Sequence, residues 1–307
     1  MSNAIKHPSL LAHFRSFCVQ NNATDLEVAI RYFAVFGATG WNVDLSVPLD
    51  LLIEEKVLRN YRYIHGDIAK VTQSKPSYHA LLSALASGDR REHSAFKKAN
   101  LKREDGEEAI DFLIDANILY FEKPMEKPLK ENENASDKLG FHQAFMRFWF
   151  VAISPYYKGI KENDYSEMKA HWVNIQEHFT QLIYEQLLQE VIKKSFDTDP
   201  IVSIGAYWDK YVSLDILAKR KSGKWVAGSF KHSKAKASKS ELNKLKERCK
   251  EAQLDIDAFV MYSKNKFSSE LKKEKGEKLK LLSVRNMQSL LDKLSDKELL
   301  SYENKKY

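Results

Sequence analysis

The residues best placed to do chemistry lie between about positions 210 and 250. Asp215 sits in the alternating run Val212 to Ala218, and Lys231 closes the run Lys224 to Lys231. The turn-forming stretch from Lys219 to Gly223 separates them. A carboxylate and an ammonium on neighbouring strands can simply form an ion pair; what else they can do depends on the elements that hold them. The segment 219–250 carries twelve Lys or Arg against Glu241 and Glu247, ten positive charges net, so in a chain of net charge +7 the remainder is net −3. A strongly cationic stretch in an otherwise slightly acidic chain points to an anionic partner, nucleic acid and DNA above all. A solvated helix face beside a basic turn is the alternative. Lys219, Arg220, Lys221, Lys224, Lys234, Lys236, Lys239 and Lys244 are the candidate phosphate contacts, and Trp225 and Phe230 could offer stacking faces.

The elements that must position these groups can be read in order. The strand of Asp215 and the returning strand of Lys231 are followed by a helix over Ser240 to Cys249 and a buried strand over Ala258 to Tyr262. A charged helix to about Lys278, a strand over Leu279 to Val284 and a helix over Met287 to Leu294 complete the series. This β–β–α–β–α–β order predicts a mixed sheet flanked by helices, an α/β domain over 201–295 with a short tail over 296–307. Several chemistries are excluded. Gly37 and Gly40 are followed by no Gly-Lys-Ser/Thr, so there is no phosphate-cradling loop of that type. Cys18 and Cys249 form no spaced pair, and the nine histidines form no metal-ligand set. Membrane association is not expected: no apolar run reaches the roughly 18 residues needed to span a bilayer. With no signal-peptide pattern at the N-terminus, a cytoplasmic location is expected.

Upstream, residues 1–76 alternate apolar helical segments with polar breaks. Over 77–130 the pattern sharpens: helices over Tyr78 to Ser87, Arg91 to Asn100 and Glu104 to Asn117, then the strand-like Ile118 to Phe121 and a turn. Three short helices followed by a strand and a turn predict a winged helix. Its third helix, however, carries Glu104, Asp105, Glu107, Glu108, Asp111 and Asp115 and no Lys or Arg between 104 and 115. Six carboxylates set against phosphates raise the binding free energy, so this module suits a protein partner better than a duplex. The polar stretch 131–138 reads as a linker, and 139–200 as a helical connector.

Arg147, Phe148, Trp149 and Pro155 resemble the aromatic signature of a domain-of-unknown-function family that forms the C-terminal part of archaeal-type AAA ATPases. Gln143 and Ala144 stand where that signature has Asp-Pro. Trp208, the run Leu214 to Ala218 and the run Trp225 to Lys231 resemble the family's second block. Between them the two blocks cover about half the chain, without an ATPase core. The winged helix is similar to the module that follows that core. The family's C-terminal part is similar to the PD-(D/E)xK, restriction-endonuclease-like nuclease fold. There, an Asp on one strand and a carboxylate on the next bind Mg²⁺, and a Lys two residues on, on the same face of the strand, serves the reacting water.

The resemblance implies Asp215 and Lys231 as the catalytic pair, with Asp215 the metal ligand. It also marks a departure, because Ser229 occupies the second carboxylate position and Ser213 the first position of the preceding acid pair. Glu185 and Glu190 on the helix Ile175 to Ile192, or Glu241 after Lys231, are the candidates to replace the missing acid. Three functions remain open: a nucleic-acid-binding protein with a degenerate nuclease domain, an active Mg²⁺-dependent nuclease with a migrated carboxylate, or a non-enzymatic module that docks on a protein through the winged helix. No cofactor beyond Mg²⁺ is implied.

Overall fold

Short apolar repeats build the helices, and polar side chains cap several of them. Ser9 caps α1 (Leu10–Gln20), its hydroxyl accepting the Ala12 N–H at 3.1 Å. Asp25 caps α2 (Leu26–Phe36) in the same way through the Val28 N–H at 2.8 Å. The computed structural model describes residues 8–125, 135–233 and 235–302. Two compact units emerge: Met1–Glu122, Asp137–Ile183 and Lys293–Tyr307 form the first, and Lys123–Ser136 with Tyr184–Asp292 the second.

In the first unit, α3 (Leu49–Leu52) runs into a π-helical turn over Ile53–Leu58, followed by α4 (Tyr61–Val71). Then come α5 (Pro76–Ser87), α6 (Glu92–Ala99) and α7 (Arg103–Asp115). β1 (Leu119–Glu122) pairs antiparallel with β2 (Lys138–Phe141), and Arg91 adds a single bridge to Lys138. The strand Lys138–Phe141 begins at the last residue of the stretch read as a linker. Further on are α8 (Ala144–Phe148), a π-helical turn over Trp149–Ile153, and α9 (Tyr157–Lys161). The aromatic signature is core: Trp149 is 1 % exposed and stacks on Tyr61, while Phe148 meets Trp172 edge-on. Arg147 lies over the Phe179 ring, 4.1 Å from its centroid, and donates to the Phe179 carbonyl at 2.9 Å.

The long helix α10 (Ser166–Lys194) has its residues through Ile183 in the first unit and the rest in the second. The second unit is a five-stranded sheet in the order β3-β4-β5-β6-β7. β4 (Ser213–Arg220) runs antiparallel to both of its neighbours, β3 (Ile201–Trp208) and β5 (Trp225–Lys231). β6 (Ile256–Ser263) and β7 (Leu279–Leu282) then run parallel to β5. Helix α11 (Lys239–Glu251) links β5 to β6, α12 (Ser269–Lys273) links β6 to β7, and α13 (Val284–Met287) follows β7. The mixed sheet with flanking helices is the α/β arrangement expected from sequence, with β3 as an additional edge strand.

Alternation alone puts Leu214 and Ile216 of β4 on one face, but the sheet departs from it. Gly205 pairs with Leu217 and Tyr207 with Leu214, so two residues of β3 span three of β4. The extra residue is a bulge at Asp215–Ile216. It lets Leu214 and Leu217 join the same buried cluster with Leu242, Leu245 and Cys249 of α11, and bulges of this kind re-aim the side chains at them. Beside it, a Cβ on Gly228 would stand 3.1 Å from both the Ile216 Cβ and the Val260 carbonyl oxygen, so a side chain there would push these neighbours by a few tenths of an ångström.

Candidate functional site

The paired register of β4 and β5 runs from Lys219↔Trp225 to Ile216↔Gly228. One step further, Asp215 comes opposite Ser229, and the backbone ladder gives way to a side chain. The Ser229 hydroxyl donates to Asp215 Oδ2 at 3.0 Å, and the Phe230 N–H donates to the same oxygen at 2.9 Å. Asp215 thus supplies the acceptor that a strand carbonyl would otherwise provide. Its side chain keeps a solvent-facing edge, yet the surrounding atoms crowd the carboxylate. Desolvation raises its pKa above the ordinary Asp value, and the charge of Glu185 adds to the rise. The two hydrogen bonds and the charge of Arg248 oppose it.

Lys231 stands two residues beyond Ser229, on the same face of β5. The ion pair open to Asp215 and Lys231 does not form; the Lys231 ammonium pairs instead with Glu241 Oε1. Two facts of position explain this. Asp215 is already satisfied by Ser229 and Phe230, and Glu241 is the third residue of α11, held within reach by the helix start. Its other oxygen accepts the Ser238 N–H at 2.8 Å, one half of a capping box. Burial opposes ionisation of Glu241, but the bonds from Lys231 and Ser238 outweigh it and hold its pKa below the ordinary Glu value.

The other two candidate acids are engaged elsewhere. Glu185 shares a hydrogen bond with His232 (Oε1 to Nε2, 3.0 Å). His232 follows Lys231 in the chain and points to the opposite face of the strand, beside Tyr184, Phe230 and Tyr262. Glu190 pairs with Lys193 one turn along α10. Among the described residues, no three His, Cys, Asp or Glu side chains gather as metal ligands. Mg²⁺ binds through carboxylates, phosphate oxygens and water in octahedral array. One carboxylate oxygen occupied by two donors, beside a serine hydroxyl that donates rather than accepts, does not fit it. Both cysteines are buried and unpaired with each other, and burial pushes their thiols up to about 12 for Cys18 and about 11 for Cys249, far from reactive.

The described residues of the basic run are spread over the β4–β5 hairpin, the segment after β5 and helix α11. Lys219, Arg220, Lys221 and Lys224 surround the β4–β5 hairpin, whose tip Asp199 fixes through the Ser222 N–H at 3.0 Å. From Asp215 to Arg220 is five residue steps, about 16 Å along a strand. Arg220 is largely neutralised: it pairs with Asp257, lies 3.5 Å from Asp199, and its side chain is 11 % exposed. Lys224 also reaches Asp257, and Lys219 lies over the Trp225 ring. Lys236, after the end of β5, and Lys239 and Lys244 of α11 are exposed, with Lys239 paired to Glu274 at 2.7 Å. Lys234 lies outside the described residues. Phe230 is half-buried in its aromatic cluster and Trp225 half-buried at the hairpin. Sequence reasoning overlooked the bonding of Ser229 to Asp215 and of His232 to Glu185.

Residues 149–245 match the model of family 234 of domains of unknown function, described as archaea bacterial proteins of unknown function. The matched segment contains Trp149, Asp215, Ser229, Lys231 and Glu241. No curated protein and no solved structure gives a match.

Proposed function

We propose, for a chain carrying this family's segment, that the second unit is a restriction-endonuclease-like domain that binds nucleic acid, DNA foremost, without cutting it. The observation that carries the reading is the Ser229–Asp215 hydrogen bond. At the strand pair where the nuclease fold keeps two metal carboxylates and a lysine, one carboxylate is a serine tied to the other, and the lysine is tied to Glu241. What supports binding is the exposed lysines that follow β5, Lys236 before α11 and Lys239 and Lys244 on it. Such lysines act on phosphates by charge and counterion release, which makes affinity salt-dependent.

α5, α6, α7 and the β1–β2 hairpin have the order of a winged helix. The acids Glu104, Asp105, Glu108, Asp111 and Asp115 of α7 are exposed, which favours a protein partner for this module over a duplex.

Fluorescence anisotropy with labelled DNA tests the reading. Affinity should fall steeply between about 50 and 200 mM salt. Lys236, Lys239 and Lys244 changed together to Glu should weaken binding by at least about tenfold, whereas Glu104→Lys with Glu108→Lys should not make α7 a principal contact. Absence of binding at low salt, or a triple variant that binds as the wild type does, would falsify it.

A further inference from the structure

We infer that the groove between α6 and α7 is a docking site for a basic protein segment, which inserts an arginine or lysine side chain into it. The inference rests on the protein-partner reading of this module and names the partner's chemistry. The groove is a cavity of about 460 Å³ with walls from both helices. Glu92, Phe96 and Lys97 of α6, Leu101 of the connecting turn, and Arg103 and Glu107 of α7 line it.

The packing of the two helices creates this arrangement. Phe96 is 8 % exposed, and its ring lies so close to Gly106 that a Cβ there would collide with it. Glycine therefore lets the ring seat directly against α7. Glu92 stands one turn before Phe96 on the same face of α6, and Glu107 follows Gly106 in the chain. The contact that closes the helix pair thus brings both carboxylates to one cavity, beside the apolar Phe96 and Leu101.

The two carboxylates are unequally satisfied. Glu107 accepts the Arg103 Nε–H at 2.7 Å, but both side chains of that pair are open to water, where an ion pair contributes little. Glu92 is half-buried, and among the described residues its carboxylate has no hydrogen-bond or ion-pair partner. Burial raises its pKa above the ordinary Glu value; the charges of Glu107, Asp137 and Asp111 add to the rise, and Arg103 opposes it. Lys97 lines the cavity as well, yet the charges that act on Glu92 are mainly carboxylates.

An unpaired, half-buried carboxylate beside apolar walls is complementary to a side chain of methylenes that ends in a cation. Arginine and lysine are those side chains. Glu104 and Asp111, exposed one turn to either side of Glu107, continue the negative charge along α7. A neighbouring basic residue of the same segment therefore also finds a carboxylate, whereas the phosphates of a nucleic acid are repelled.

The test uses the full chain and two short fluorescein-labelled peptides, an amphipathic one of leucine and arginine and its counterpart with glutamine for every arginine. By anisotropy the arginine peptide should bind at least about tenfold more tightly than the glutamine one. Glu92→Gln should weaken the arginine peptide by roughly tenfold, and Asp115→Asn, two turns beyond Glu107, should leave it unchanged. A thermal melt should show Glu92→Gln at least as stable as the wild type, because glutamine keeps the shape and removes a charge that burial disfavours. Its affinity for duplex DNA should be that of the wild type; a loss there would assign the groove to nucleic acid and overturn the inference. If the arginine peptide binds but Glu92→Gln binds it equally, or Asp115→Asn weakens it as much, the groove is overturned and the protein-partner reading stands. Equal binding of the two peptides also overturns it, since no cation is then recognised. If the full chain binds neither peptide, the protein-partner reading fails and the inference with it.

Discussion

Asp215, which the resemblance implies as a metal ligand, makes the bonds of a strand-closing acceptor. Both donors address the same oxygen, an arrangement an amide can reproduce. The carboxylate's pKa is raised in the folded chain, chiefly by burial. A raised acid binds protons in the folded state over a pH range where the unfolded chain has lost them. Its charge therefore lowers stability above the raised value, and that cost disappears below the ordinary value of 3.8. Asp215→Asn should then be at least as stable as the wild type near neutral pH, with the difference shrinking on acidification. Urea denaturation across that pH range checks this. A loss beyond about 2 kcal/mol at neutral pH, comparable to leaving a buried donor unmet, would show that the charge itself is required.

At the scale of elements, what was legible followed from periodicity and punctuation. The β4–β5 hairpin has its signal in Gly223, with φ of +88° at the turn, and α11 has its own in Ser238 with Glu241 three residues on. β3 was overlooked because Ile201–Trp208 is an uncharged edge strand whose half-buried residues show no two-fold alternation. The bulge at Asp215 was illegible for a different reason. A shift of register depends on the partner strand, and β3 was not in view. The acid substitutes were legible as candidates but not as outcomes, since helix capping claims Glu241 and His232 claims Glu185. The closeness of β4, β5 and β6 yields a further expectation. Gly228→Val should destabilise the second unit by about 1–3 kcal/mol, because its side chain must displace Ile216 and the Val260 carbonyl. A thermal melt followed by circular dichroism reads this; a variant as stable as the wild type would contradict the close approach.

For the whole molecule, the linear charge pattern was a coarse guide. The described residues of the cationic run are spread over the β4–β5 hairpin, the segment after β5 and helix α11, and carboxylates from outside the run, Asp199, Asp257 and Glu274, neutralise part of it. The resemblance located the strand pair, and the family match over 149–245 spans it, but residue types alone left open whether a metal site survives there. Whether the second unit binds DNA without cutting it is read by a cleavage assay. Purified full-length protein is incubated with single- and double-stranded DNA in Mn²⁺ or Mg²⁺, beside Asp215→Ala. Intact substrate is expected in every lane under conditions where anisotropy shows binding. Metal-dependent cleavage by the wild type that Asp215→Ala abolishes would contradict it and restore a working nuclease centre.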